Sequence, residues 1–395
     1  MRLLSSWTPA LAEDWRNGGF GLYIHWPFCM AKCPYCDFNS HVSRSIDQKA
    51  WLDAYLKELD RNAARTPDRV LKSVFFGGGT PSLMEPETVA AILNRVGQLW
   101  TPANDQEITL EANPTSVEAG RFQAYAEAGV NRVSMGLQSL RDDDLRRLGR
   151  MHTVAEGRRA FEIAKDCFGR VSFDLIYARQ DQTVPEWKAE LREALALAAD
   201  HLSLYQLTIE AGTAFGDRYE RGTLRGLPED DDAAEMYEVT QEICAEFGMY
   251  DYEVSNYAKP GAESRHNQIY WHYGDYVGIG PGAHGRVTMN GIRHATDTWK
   301  QPQKWLDAVA AGTGENLVEA VSPTEQANEY LMMGLRLTEG IDLERFNQIG
   351  GRALNPRTLK ELQDMGMIEL ESPYLKATRA GRLVLNAVIA ELLLD

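Results

Sequence analysis

Tyr23-Ile24-His25-Trp26-Pro27-Phe28-Cys29-Met30-Ala31-Lys32-Cys33-Pro34-Tyr35-Cys36-Asp37-Phe38 is a β-branched and aromatic run that opens into three closely spaced cysteines. A strand leading directly into a loop of reactive side chains points to a parallel α/β sheet, whose ligands gather at the C-terminal ends of its strands. Five further runs fit the same pattern. Together with 23–28, the segments 71–76, 107–111, 131–135, 171–177 and 201–208 make six predicted strands, separated by stretches of helical period. Residues 46–65 place Leu52, Tyr55, Leu56 and Leu59 on one face, and 86–100 do the same with Val89, Ile92, Leu93 and Val96, so both are predicted helices. Unusual residues recur where strands end: Gly77-Gly78-Gly79-Thr80-Pro81, Glu111-Ala112-Asn113-Pro114, Gly136-Leu137-Gln138-Ser139, Asp174, and Tyr205-Gln206. Six βα units are too few for a closed eight-stranded barrel, and the expected fold is α/β, a partial (β/α)6 barrel.

The pattern changes after about residue 210. Asp230, Asp231 and Asp232 suit the start of a solvated helix, and 250–276 holds seven aromatic residues among Gly- and Pro-containing loops. The last part reads as two helices, a hairpin around Ser372-Pro373 and a closing helix over 383–394, which resembles a winged helix. Its eight Lys and Arg against eleven Asp and Glu over 322–395 argue for packing rather than DNA binding. The expected organisation is an N-terminal extension (1–20), the partial barrel (21–215), an α+β extension (216–320) and a small winged-helix-like domain (321–395).

Across 395 residues, 57 Asp and Glu outnumber 41 Lys and Arg, a net charge of −16 that repels a phosphate backbone and excludes general nucleic-acid binding. Mean hydropathy is −0.38, and neither an export signal nor a transmembrane segment is legible, so a cytoplasmic protein is expected. In a reducing compartment five cysteines are not a disulfide framework. Cys29, Cys33 and Cys36 have the spacing CxxxCxxC. Three thiolates from one loop can each bind one iron of a 4Fe-4S cubane, leaving the fourth iron open to the amino and carboxylate groups of S-adenosylmethionine (SAM). A zinc site completed by His25 or His41, or three unrelated buried thiols, are the plainer readings. Cys167 and Cys244, at apolar-phase helical positions, read as inert core thiols.

The quoted stretch, with FFGGGTPS, LEANP, GLQS, LGRMH, DLIY and SLYQLTIE, resembles the radical SAM superfamily in its oxygen-independent coproporphyrinogen III oxidase-like branch. HNQIYW and LMMGLRLTEGIDLERF extend the resemblance almost to the C-terminus. It implies that Cys29, Cys33 and Cys36 ligate the cluster. It further implies that Gly78, Gly79 and Thr80 meet the methionine end of SAM, and that Tyr23, Glu111, Gln138, Arg150, Asp174 and Gln206 complete the cofactor site. Two departures stand out: Ala178-Arg179-Gln180 where many relatives have Gly-Leu-Pro, and Ala211 where Pro is usual.

The branch contains both the oxidase and heme-binding chaperones, and three features divide them here. The oxidase continues its motif to a fourth cysteine, where this chain has Asp37-Phe38; its lead before the cluster is longer; and it lacks HNxxYW, present here as His266-Asn267-Gln268-Ile269-Tyr270-Trp271. The resemblance therefore implies heme contact near His266, Asn267, Tyr270 and Trp271, with His272, His284 and His294 as rival ligands. Arg265, Arg286 and Arg293 are expected to supply the attraction for the porphyrin carboxylates that the overall charge denies. Expected partners are heme or porphyrin, acceptor proteins that include membrane-bound ones, and an electron donor where SAM is cleaved. The alternative is conversion of coproporphyrinogen III to protoporphyrinogen IX by radical decarboxylation.

Overall fold

Strand β1 (Phe20–Trp26) buries Leu22, Ile24 and Trp26 against helices while Tyr23 and His25 face the opposite side, the alternation that a pleated strand imposes. It starts three residues earlier than expected and stops at Trp26, because Pro27 has no N–H to continue the ladder. In the computed structural model, which describes residues 13–43 and 45–394, β1 lies inside a twelve-stranded sheet. Residues 1–12, most of the expected N-terminal extension, lie outside the described residues.

The other strands of this sheet, in chain order, are β2 (Val70–Gly78), β3 (Thr101–Ala112), β4 (Arg132–Gln138), β5 (Arg170–Tyr177), β6 (His201–Gln206), β7 (Tyr250–Asp251), β8 (Asn256–Ala258), β9 (Asp275–Ile279), β10 (His284–Met289), β11 (Ile292–Thr298) and β12 (Glu315–Ala320). Their spatial order is β12-β11-β10-β9-β1-β2-β3-β4-β5-β6-β8-β7. Strands β1 to β6 are parallel neighbours, as the six predicted βα units require. Trp51, Tyr55 and Leu59 on helix Gln48–Arg65, and Val89, Ile92 and Val96 on Pro86–Leu99, cover the outer face. Cys244 is buried and Cys167 partly exposed, both on helices.

The aromatic-rich region differs from its reading as loops. It contains a seventh parallel strand, β9, paired to the free edge of β1 from Phe20↔Asp275 to Ile24↔Ile279, after which β10 to β12 extend the sheet antiparallel. Gly18 and Gly274 allow this entry: a Cβ on Gly18 would lie 2.3 Å from the Gly274 nitrogen. Five residues edged by glycine carry too little periodicity to announce a strand; their partner lies some 250 residues earlier.

After β12, helices Pro323–Gly334, Leu343–Gly350 and Pro356–Asp364 pack with a three-stranded sheet of Ile341–Asp342, Tyr374–Ala377 and Ile368–Glu371 around their own core of Leu331, Phe346, Ile349, Leu375 and Ile389. The expected closing helix is two, Arg379–Leu383 and Leu385–Leu392. Arg345 fastens this unit to the sheet by bonding Asp14 at 2.8 and 3.0 Å and the His272 carbonyl at 2.9 Å.

Candidate cofactor site

Past Pro27 the chain re-enters regular structure for two residues, Phe28–Cys29 pairing in parallel with His41–Val42, which closes the cysteine loop at its base. Phe28 anchors that base edge-on against Trp26 and Trp51, with ring centroids 5.3 and 5.1 Å apart. The glycine segment after β2 is bonded to the same base: Gly79 N–H donates to the Trp26 carbonyl at 2.6 Å and Thr80 N–H to that of Phe28 at 2.8 Å. A Cβ on Gly79 would stand 2.7 Å from the Phe28 oxygen, and Gly78 holds φ +112° with the His25 ring 2.7 Å from where its Cβ would be. The glycines are thus demanded by the approach of two strand ends to each other.

One cavity is lined by all three motif cysteines and by Gly78, Gly79, Thr80, Glu111, Gln138, Arg150 and Asp174. Five strands and the segments that follow them deliver these groups. A hydrogen-bonded arc joins two of the thiols: Thr80 Oγ1 lies 3.4 Å from Cys29 Sγ and accepts from Asn113 Nδ2 at 3.2 Å; Arg150 donates to Asn113 Oδ1 at 2.6 Å, to the Gly136 carbonyl at 2.9 Å and to Cys33 Sγ at 3.4 Å. A hydroxyl and a guanidinium directed at two sulfurs suit thiolate ligands, which gain from donors and nearby positive charge. Among the described residues no three His, Cys, Asp or Glu side chains converge on one point as a single metal ion needs. A cubane distributes its thiolate bonds over separate irons, and three cysteines facing one cavity fit that demand. Burial pushes the Cys29 and Cys36 thiols up from their ordinary values.

Behind the cysteines the barrel interior is polar. Ser172 accepts from Arg132 at 2.8 Å and donates to Ser134 at 3.1 Å, which donates to Asp174 at 3.3 Å. Burial, reinforced by the Asp174 charge, pushes the Glu111 carboxyl up to about 8, against the Gly78 N–H and the Arg132 cation; burial raises Asp174 to about 6. The fold therefore keeps a proton on Glu111 that the unfolded chain releases, so this group's stabilisation is complete below about pH 4.5 and is lost as pH rises through about 8. The melting temperature of the ligand-free protein is expected to fall across that window and to fall less in Glu111→Gln. An equally steep decline in the variant would assign the slope to other groups.

Tyr23 and Tyr270 line a second cavity of about 630 Å³ that shares Lys32, Phe38, Ser40, Gly78 and Glu111 with the first. His266 is buried, its ring stacked on Phe75 with centroids 4.1 Å apart and on Tyr23 at 5.9 Å, and edge-on to Tyr270 at 4.6 Å. The helix that carries it, Arg265–Trp271, packs against β1 and β2 and is pinned by Glu107, which accepts from His266 N–H at 3.4 Å. Asn267 donates to the Tyr252 hydroxyl at 3.0 Å, and Trp271 lines a separate cleft against the C-terminal unit. Gln206 is exposed at the end of β6 and lines neither cavity.

The three arginines expected to attract a porphyrin are otherwise engaged. Arg265 pairs with Asp105 at 2.6 Å, Arg286 with Glu329 at 2.7 Å, and Arg293 is buried beside Asp275 and Asp14. Each acidic partner is remote in sequence, so the pairing is invisible along the chain. Glu107, Asn113 and Asn39 are the residues that sequence reasoning passed over. Asn39 Nδ2 donates to the Pro281 and Lys300 carbonyls at 2.9 and 2.8 Å, and its own carbonyl holds His25 Nε2 at 2.9 Å. Asn113, beside Pro114 at a strand end, carried the one local signal.

A parallel partial barrel with a three-cysteine loop after its first strand and a glycine turn after its second defines the radical SAM class of proteins. The model of the radical SAM superfamily matches residues 23–194 and that of the HemN C-terminal domain matches residues 321–384. Heme chaperone HemW of Escherichia coli (strain K12) is 39% identical over 375 residues, 93% of this chain and 96% of that protein, and HemW of Bacillus subtilis (strain 168) is 35% identical over 94% and 98%. The mitochondrial radical S-adenosyl methionine domain-containing protein 1 of Bos taurus is 39% identical over 94% and 87%. A structure of coproporphyrinogen III oxidase (HemN) from Escherichia coli has the same fold, with a TM-score of 0.80 and 20% identity over 98% of this chain and 93% of that one. The chain belongs to the radical SAM superfamily, in the branch that holds these HemW proteins. No helix among the described residues is long and apolar enough to cross a membrane.

Proposed function

We propose that this protein is a heme chaperone of the cytoplasm that binds heme and passes it to acceptor proteins, membrane-bound ones included, and that it carries a 4Fe-4S cluster with SAM at the open iron. The observation that carries the cofactor reading is the convergence of Cys29, Cys33 and Cys36 with Gly78, Gly79, Thr80, Glu111, Gln138, Arg150 and Asp174 on one cavity. The heme reading rests on the names of relatives that align along nearly the whole chain.

Cys29, Cys33 and Cys36 would hold three irons of the cluster, with Thr80 and Arg150 donating to the Cys29 and Cys33 sulfurs. Gly78 and Gly79 line the cavity and would offer backbone groups to a ligand there. Glu111 and Asp174 would accept from amino and hydroxyl groups of SAM, and Gln138 and Tyr23 offer both donor and acceptor. When bound, the cluster and SAM supply one-electron reductive chemistry at the sulfonium. Asp37 and Phe38, standing where the oxidase has its fourth cysteine, are exposed.

The test gives anaerobically reconstituted protein, with SAM and reductant, hemin in one arm and coproporphyrinogen III in the other. Stoichiometric heme binding followed by transfer to an apoprotein is expected, with no porphyrin product. Formation of protoporphyrinogen would replace this reading with that of the oxidase.

A further inference from the structure

Three histidines line the second cavity, His25, His41 and His284. Of the chain's eight histidines, His25, His201 and His272 have both ring nitrogens bonded to protein groups, and His266 is sealed between aromatic rings. His152 is buried with Nε2 on the Leu137 carbonyl, His294 lines neither cavity, and His41 has its Nε2 buried. His284 differs. It opens β10, its side chain is 59% exposed, and it lines the cavity of about 630 Å³, within the ~300–1,000 Å³ usual for small-ligand sites.

We propose that His284 binds heme iron through Nε2 in this cavity, a proposal that rests on the heme-carrier reading above. Directly opposite in the β10–β11 ladder stands Asp297, its Oδ2 4.0 Å from His284 Nδ1. At 4.0 Å the pair is not hydrogen-bonded; closing that gap by side-chain rotation would let the carboxylate accept from Nδ1–H, the contact that orients a metal-ligating imidazole. Tyr270 and Tyr276, centroids 4.1 Å apart, supply aromatic wall for the porphyrin face. Lys32 and Lys300 line the same cavity together with Asp37 and Glu111, and neither lysine is in an ion pair among the described residues, so two ammonium groups are available to two propionates. They supply the local attraction that the three paired arginines cannot.

The location also couples heme to the cofactor site. Asn39, from the cysteine loop, bonds both Pro281, three residues before His284, and Lys300. A Cβ on Gly282 would lie 2.5 Å from Asn39 Nδ2, so the two loops are in contact without slack.

Anaerobically reconstituted wild type, His284→Ala, Asp297→Asn and His266→Ala would each be titrated with hemin and followed by the Soret band and by electron paramagnetic resonance. For His284→Ala the expected result is a displaced Soret band and heme affinity weakened more than about tenfold, with the wild-type spectrum restored by added imidazole. Asp297→Asn should weaken binding by about tenfold with the ligation unchanged, and His266→Ala should retain the wild-type spectrum. A wild-type spectrum in His284→Ala, or a loss confined to His266→Ala or to His41→Ala titrated alongside, overturns the assignment. Failure of the wild type to take up hemin at all would overturn the heme reading itself. Unchanged circular dichroism and cluster absorbance in His284→Ala separate ligand loss from misfolding.

Discussion

Cys33→Ala is expected to lose most of the iron and sulfide that the wild type takes up on anaerobic reconstitution, along with its visible charge-transfer absorbance. The size of the effect follows from the chelate. Three thiolates on eight residues act as one multidentate ligand, and removing one exchanges an intramolecular attachment for capture from dilute solution. Cys33 is also where the arc from Cys29 through Thr80, Asn113 and Arg150 ends, so its loss leaves the Arg150 guanidinium without its sulfur acceptor. Arg150→Met makes a graded companion: the thiolates remain, one donor is gone, and cluster affinity should drop by about tenfold rather than vanish. Cys167→Ser, on the outer helix Val154–Cys167, should reconstitute like the wild type. Full cluster content in Cys33→Ala would remove the CxxxCxxC loop from the cofactor site.

Asp275→Ala is expected to lower the stability of the fold by about 3–5 kcal/mol, read from urea or thermal unfolding. The carboxylate is fully buried at the start of β9, where it accepts from Thr288 N–H at 2.6 Å and Thr288 Oγ1 at 3.0 Å and lies 3.3 and 3.4 Å from the guanidinium groups of Arg69 and Arg293. Arg293 is 2% and Arg69 8% exposed. Truncation leaves two buried cations facing each other, and that uncompensated charge, more than the lost bonds, sets the magnitude. Because β9 leads into Gly280 to His284, the same variant should also weaken cofactor binding. A loss below about 1 kcal/mol, the level of a solvent-exposed pair, would mean that water reaches this cluster.

Much of the candidate site was legible along the chain. Strands β1 to β6 announce themselves because each is a short apolar run followed by an amphipathic helix, and parallel α/β topology leaves one end of the sheet for ligands. Ten residues named from strand-end position and resemblance line one cavity. The region from 250 to 300 was far less legible. Its aromatic excess resolves into different tasks: Tyr270 and Tyr276 line the second cavity, Tyr257 is core, and Tyr273 carries the Arg293 cation 4.0 Å from its ring centroid. Composition does not distinguish these tasks, because each depends on which face of the sheet a residue meets.

The candidate cluster loop was readable because its features are local: three thiols within eight residues and a glycine turn whose backbone conformation only glycine adopts at no cost. Placement of His284, by contrast, is set by the parallel register of β9 on β1, the buried charges around Asp275, and the contact of Asn39 with Pro281, 242 positions away. Such contacts leave no periodic trace, since each is a single pairing between distant residues whose strength comes from the desolvated environment that folding itself creates.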